Sequence, residues 1–474
     1  MELPSPSDTT LSLNEKDHSK KDKNSDTAVD VTQKEVDSSN AVDEFASDQD
    51  EKFHQLSWQR LTICLIVQAI ALGSLSMPGT FAVLGMVPGV IVTVGMGIIA
   101  IYTSWIVGAV KVRYPEIMDY ADAGYMMFGK IGYIIFAVMF VGLLTLTTGS
   151  HVLTGTIAWN NLTNDAICAV AFSAISAIIL FAVALPTTFH DMAFLGYIDF
   201  VSILIAIFIT IVATGIEASQ AVGGLASVDW TAFPSKENPP TFASAFLAIT
   251  NVAFAYAFAQ SQFSFMSELR RPKDYTKAVF ALGIMEIIIY TLTGALIYSF
   301  CGSAVKSPAL LSASPLMQKI AFGVALPVIF ISGGINTQTA AKYIYGKIYK
   351  PASQHATMST RKGLISWVGL VAVITLIAWF IAELIPFFGA LLGLISALFI
   401  SGFTFTFPAM MWFILLKEGP WNKDSRQIML SVANASIAII GAVIMVAGVY
   451  ASAVDIKNGF ADGTVGKPYS CVAS

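Results

Sequence analysis

Between Leu61 and Leu84 the chain runs without a charged residue, yet the middle of that run reads Gly73-Ser74-Leu75-Ser76-Met77-Pro78-Gly79. About 20 apolar residues suffice to cross a bilayer as a helix, so the run is long enough to span. Its interior is poor helix material, because glycine loses the most backbone entropy on ordering and proline has no N–H to donate. The expectation is a spanning helix that unwinds between Gly73 and Gly79. Unwound backbone at membrane depth persists only where protein buries it or where it lines a cavity, since hydrocarbon cannot satisfy its polar groups. The run therefore reads as one wall of a binding cavity.

The remaining sequence has the same solvent preference. Of 474 residues, 55% are hydrophobic and 12% charged, with a mean hydropathy of +0.69. Soluble domains carry about 25% charged residues, which excludes one here. Eleven long apolar runs lie near 61–84, 89–110, 131–158, 166–185, 192–215, 242–266, 276–300, 318–341, 364–385, 387–416 and 428–451. They predict an all-α polytopic membrane protein with eleven transmembrane helices. With the N-terminus cytoplasmic, fifteen Lys and Arg residues fall in the inner loops and five on the outer side, beyond those of the N-terminal tail. That asymmetry sets the orientation and leaves the C-terminus outside.

Residues 1–58 are of another kind, rich in Ser, Asp, Lys and Glu and poor in large apolar residues, so they read as a disordered cytoplasmic tail. Six lysines and several serines make it a target for phosphorylation or for a ubiquitin-ligase adaptor. The first apolar run starts only at Leu61, so no cleavable signal peptide is expected ahead of it. No CxxC, HExxH, Walker loop or serine-hydrolase elbow occurs, so no metal, organic cofactor or enzymatic chemistry is expected. Cys64, Cys168 and Cys301 fall in or beside spans and read as small packing residues; Cys471 lies in the tail. Asn161-Leu162-Thr163 falls on an outer loop and is a candidate glycosylation site at Asn161.

Five spans after the first interruption comes a second, Asn251-Val252-Ala253-Phe254-Ala255-Tyr256-Ala257-Phe258-Ala259-Gln260-Ser261-Gln262, marked by polarity rather than by glycine or proline. Interrupted helices at corresponding positions of two halves point to an inverted-repeat transporter with its site at the repeat interface. The organisation read from this is a tail (1–58) and a transmembrane domain (59–452). Within the domain lie repeat one (about 60–215), repeat two (about 242–416) and an extra helix (428–451). A short extracellular tail (453–474) follows.

The first break reads as an anion site. Pro78 suits the first turn of a new helix, and Ser74 or Ser76 can cap it. Free N–H groups at such a helix start carry about half a positive charge, enough to hold a carboxylate without Arg or Lys. Carbonyls ending the first half-helix near Leu72–Gly73, and others near Phe254–Tyr256, can accept from an ammonium group. Neither break contains Lys, Arg, Asp or Glu, which suits a zwitterion with an uncharged side chain. Candidate substrate-binding residues are Gly73, Ser74, Leu75, Ser76, Met77, Asn251, Phe254, Tyr256, Phe258 and Gln260. The aromatic members are candidates for an apolar wall or gate, and either Gln260 or Gln262 faces the cavity. Spans one, three, six, eight and ten are expected to enclose the pocket.

Ionisable groups inside spans are costly and therefore candidates for ion coupling. These are Asp199 first, then His151 and Glu286; Glu383, at an outer boundary, reads as an interface residue. In span eight Ser332, Asn336 and Thr339 recur at i, i+4 and i+7 and give one hydrophilic face, suited to a cavity wall or cation site, or equally to interhelical hydrogen bonding.

Three stretches carry a resemblance: GSLSMPGTFAVLGMVPGVI in spans one and two, DYADAGYMMFGK (119–130) in the first inner loop, and FAYAFAQSQFSFMSELRRPKDYTKAV (254–279). They resemble the amino acid/auxin permease family, and within it the fungal neutral amino acid permeases, over about residues 55–450. The resemblance implies the leucine-transporter-type architecture, a 5+5 inverted repeat with broken helices 1 and 6. It further implies secondary active uptake of neutral aliphatic and aromatic L-amino acids by symport with protons at the plasma membrane. Sodium stays open as the coupling ion, since carbonyls and hydroxyls near Gly73 and Ser332 could supply its ligands. A vacuolar transporter of the same fold and a non-transporting amino acid sensor stay open as alternatives.

Overall fold

The structure is a computed structural model that describes residues 57–186, 189–236, 239–267, 269–349, 360–463 and 468–471. The tail expected over residues 1–58, with its regulatory lysines, lies outside the described residues up to residue 56. Ser57 already caps the first helix, its side chain accepting from the Arg60 N–H.

The first span is two helices, α1 (Trp58–Ala69) and α2 (Leu72–Leu84). Then follow α3 (Met86–Arg113), α4 (Tyr120–Thr163), α5 (Ala169–Ala184) and α6 (Phe189–Gln220). The sixth span is again two pieces, α7 (Phe242–Ala255) and α8 (Gln262–Ser267). The chain closes with α9 (Tyr275–Cys301), α10 (Pro315–Ile348), α11 (Arg361–Leu384), α12 (Phe388–Leu416) and α13 (Ser425–Ala461). Nine segments among the described residues are long and apolar enough to cross a membrane. The broken first span and the short α5 bring the number to eleven, matching the sequence pattern. The protein is an all-α, multi-pass membrane protein in which the first helix of each five-helix half is broken.

The first break is not where glycine and proline predict it. The chain leaves helical geometry at Ile70 and Ala71, and Gly73 to Gly79 lies inside α2 with Pro78 in the helix interior. Ser74 Oγ donates to the Ala71 carbonyl (3.0 Å) and Ser76 Oγ to the Gly73 carbonyl (2.8 Å). The serines therefore bond back along the helix instead of capping a new one, and Pro78 is not at a first turn. A proline removes only one ladder bond at its own position, so a helix held by neighbours on several sides can carry one. Here α7 and α9 both pack on α2.

Two further expectations are corrected. DYADAGYMMFGK is not a loop but the start of α4, opened by a capping box between Asp119 and Asp122 and kinked at Gly129 (φ 64°, ψ −149°). Only glycine takes that backbone readily. Asn161 sits in the last turn of α4 rather than in a loop, and its amide donates to Gln318 Oε1 of α10 (2.6 Å).

The cysteines also depart from expectation. Cys168, at the start of α5, forms a disulfide with Cys471 of the C-terminal tail, while Cys301 is free; the Cys64 side chain lies outside the described residues. Beside the bridge Tyr469 rests against Trp379 and Phe380 of α11. Trp379 Nε1 donates to Ser173 Oγ (2.9 Å), which in turn donates to Glu383, so this carboxylate has a helix partner as well as a boundary position. Asp229, in the loop after α6, accepts from the hydroxyl and the backbone N–H of Ser303, which follows α9, and these bonds hold the carboxyl below the usual carboxylate range.

Candidate functional site

The two breaks meet side by side. A Cβ placed on Gly73 would lie 2.6 Å from Ala255 Cα, so only glycine lets α2 approach the end of α7 this closely. Tyr290 of α9 stands over the junction with its hydroxyl 3.1 Å from the Ala69 carbonyl and 2.9 Å from the Ala255 carbonyl. One hydroxyl has one proton, so it can donate to only one of these carbonyls at a time. The first turn of α2 presents N–H groups that no carbonyl of its own helix can reach. An ammonium-accepting edge and an anion-accepting edge are thus contributed by backbone alone.

Beside this junction lies a cavity lined by Ala69, Ala71, Leu72, Leu143, Leu144, Thr147, His151, Phe254, Ala257, Gln260, Asn336 and Ile400. The helices involved are those of spans one, three, six, eight and ten. The room left for the centre of a water molecule is about 30 Å³, enough for about two waters. A larger solute therefore enters only if the walls part. Three polar side chains reach the cavity while more than nine-tenths buried: His151 (1% exposed), Asn336 (7%) and Gln260 (7%). Among the described residues His151 Nδ1 and Gln260 Oε1 have no hydrogen-bond partner, while Gln260 Nε2 donates to the Ala257 carbonyl (2.9 Å). A buried polar atom without a partner is costly, so both are open to a ligand.

The residues singled out from sequence divide around this cavity. Phe254, Gln260, His151 and Asn336 line it. Gly73 sets the crossing of the breaks, and Ser74 and Leu75 follow within the first turns of α2. Ser76 and Met77 are buried further along α2, outside the lining. Tyr256 turns away from the cavity, stacks edge-on with Tyr290 and donates to the Thr93 carbonyl of α3 (2.9 Å). Phe258 is fully buried outside the lining. Asn251 faces the start of α12 at Gly389, its Oδ1 unpartnered. Gln262 is tied to Ser104 of α3, donating from Nε2 to its carbonyl (2.8 Å).

The ionisable residues occupy three different surroundings. Asp199 of α6 is 1% exposed; its Oδ1 accepts from Ser332 Oγ of α10 (2.9 Å) and its Oδ2 has no partner among the described residues. The next residue, Gly333, is so close to α4 that a Cβ there would lie 2.8 Å from His151 Cβ. One turn of α10 therefore touches both Asp199 and the cavity-lining histidine. Glu286 of α9 is fully buried, with neither oxygen partnered among the described residues, one helical turn before Tyr290. Thr339 bonds back to the Ile335 carbonyl (2.7 Å), so the hydrophilic face of α10 splits between ion-pair-free structural bonding and the cavity.

Leu143, Leu144, Thr147 and Ile400 were not singled out from sequence. Thr147 alone carried a signal, lying four residues before His151 on the same helix face.

Comparison with known proteins agrees with this geometry. Residues 54–454 match the family model described as transmembrane amino acid transporter protein. The chain is 51% identical over 422 residues to the N amino acid transport system protein of Neurospora crassa, covering 89% of each. It is 24% identical over 409 residues to the amino acid transporter AVT1H of Arabidopsis thaliana, covering 84% of this chain and 89% of that one. Its fold is similar to that of Mhp1, a nucleobase-cation-symport-1 family transporter solved in a closed conformation with bromovinylhydantoin bound. The TM-score is 0.53 at 14% identity, over 86% of this chain and 93% of that one. An all-helical membrane fold of the leucine-transporter type, with two broken helices meeting at a buried cavity, and a family match over most of its length place this chain in the transmembrane amino acid transporter family.

Proposed function

We propose that the protein is a secondary active transporter that brings neutral aliphatic and aromatic L-amino acids into the cell across the plasma membrane, by proton symport and alternating access. The observation that carries this is the cavity at the two breaks, whose lining residues include no Asp, Glu, Lys or Arg. The substrate carboxylate is held by the N–H groups starting α2, and its ammonium by the carbonyls around Ala69 and Ala255. A fixed side-chain charge would favour a charged substrate, and the site offers none. The name of the Neurospora relative supports an amino acid as cargo. A disulfide between Cys168 and Cys471 supports an oxidising compartment on that face.

For coupling, Asp199 is the proton carrier and Ser332 its partner, with His151 at the cavity end of the same contact. Sodium is the alternative ion, and the coupling ion is the only accessory the mechanism needs. The test is uptake of labelled leucine and phenylalanine into proteoliposomes under an inward proton gradient, then an inward sodium gradient. Proton-driven accumulation that a protonophore abolishes, and that Asp199→Asn uncouples while exchange persists, is the expected result. Saturable binding without uptake under either gradient would replace the transporter with a sensor.

A further inference from the structure

We infer that Leu143, Leu144 and Ile400 form the subsite for the substrate's side chain, and that Ile400 sets the largest side chain accepted. The inference rests on the neutral amino acid reading above and names the residues that choose among such substrates.

The lining changes character along α4. Along α4 the lining runs from Leu143 and Leu144 through Thr147 to His151. At 1.5 Å per residue, the eight residues from Leu143 to His151 span about 12 Å along the helix axis. The backbone groups of the breaks and the polar side chains engage the ammonium and carboxylate. The apolar turn of α4 is then the surface left for an uncharged side chain. A Cβ on the adjacent Gly142 would lie 3.0 Å from the ring of Phe399, the residue before Ile400, and Leu143, Leu144 and Ile400 are all at most 2% exposed.

Ile400 lies in a π-helical stretch, Ser396–Thr406 of α12. Such turns are rare and are found mostly at functional sites, because the extra residue per turn displaces side chains and carbonyls from the regular ladder. Here hydroxyls take up displaced carbonyls: Ser401 Oγ donates to Ala397 O (2.7 Å) and Thr406 Oγ1 to Ser401 O (3.1 Å). Helix α13 backs the stretch without slack. A Cβ on Gly441 would strike Thr406 Oγ1 and lie 2.9 Å from the Ser401 carbonyl, and one on Gly448 would lie 2.8 Å from Ala397 Cβ. The backbone behind Ile400 is held by α13, so once the other walls part to admit a substrate, the volume of this side chain limits what fits in front of it.

The experiment compares kcat/KM for alanine, leucine, phenylalanine and tryptophan in proteoliposomes of the wild type, Ile400→Val, Ile400→Ala and Ile400→Phe. A methylene in an apolar pocket changes discrimination by about 10–200-fold at most. Ile400→Val is expected to raise the tryptophan-to-leucine ratio about tenfold, and Ile400→Ala by more than that. Ile400→Phe is expected to reject phenylalanine while keeping alanine uptake. Ile400→Val removes a single methylene, so it decides the matter even if the alanine variant does not fold. Equal ratios in all variants, or a parallel loss for all four amino acids, would overturn the assignment. A wild type that moves no neutral amino acid would instead overturn the reading on which it rests.

Discussion

The two breaks reach similar ends from opposite sequences. The first contains two glycines, two serines and a proline, yet only Ile70 and Ala71 leave the helix, ahead of the motif. The second contains neither glycine nor proline, yet it unwinds from Tyr256 through Phe258 and continues as a 3₁₀ turn over Ala259–Ser261. Residues with poor helix propensity therefore do not by themselves locate an unwound segment. What locates it is a set of partners for the freed backbone groups. Tyr290 reaches the carbonyls of both breaks and serves one of them at a time, and Gln260 serves the carbonyl of Ala257. In the first span glycine is used for close approach, and the serines use their hydroxyls on their own helix.

This contrast can be broken by substitution. Gly73→Val should have the largest effect, because its side chain would enter the backbone of Ala255; overpacking of this kind costs about 1–3 kcal/mol or more. Uptake should fall at least about 30-fold at equal membrane abundance, in line with that cost. Normal uptake by this variant would mean that the two breaks need not touch. Tyr290→Phe should come next, leaving buried carbonyls without their donor at about 1–3 kcal/mol. A lower thermal transition in detergent and roughly tenfold slower uptake are expected; an unchanged transition would show that water or another side chain serves those carbonyls.

Pro78→Ala sharpens the comparison from the other side. Because Pro78 lies inside α2 and the unwinding precedes it, restoring an N–H there should change uptake by less than about threefold, well under the roughly 3 kcal/mol by which proline disfavours a helix. Loss of transport would return the break to the glycine–proline motif. Ser76→Ala should be smallest. It removes only a bond back to Gly73 O, worth about 0.5–1.5 kcal/mol for a typical hydrogen bond, and leaves the lining intact. Leucine KM within about twofold of wild type is expected for a residue outside the cavity, in keeping with that small bond energy. A rise of tenfold or more would place Ser76 on the substrate.

Much of the site was legible as a region and little of it as a set of atoms. Polarity inside an apolar span brought out Gln260, His151 and Asn336, because a buried polar side chain in hydrocarbon demands a partner or a cavity. Leu143, Leu144 and Ile400 gave no such sign, since an apolar residue facing a cavity looks the same in sequence as one facing lipid. Tyr256 and Phe258 illustrate the converse: aromatic residues beside a break suggested a wall, but Tyr256 finds its partners in α3 and α9.

The sequence by itself determined the solvent of this protein, its number of spans and which two of them are interrupted. Those properties follow from local composition, namely runs without charge, their length against a bilayer, and polar residues where hydrocarbon forbids them. Tertiary structure decided the rest: the position of each break, the pairing of Cys168 with Cys471 across 303 residues, the bond from Ser332 to Asp199 and which apolar residues line the cavity. Each of these depends on which groups from distant parts of the chain arrive together to satisfy a carbonyl, accept a proton or fill a gap. Spacing along one helix carries no record of the neighbour that packs against it.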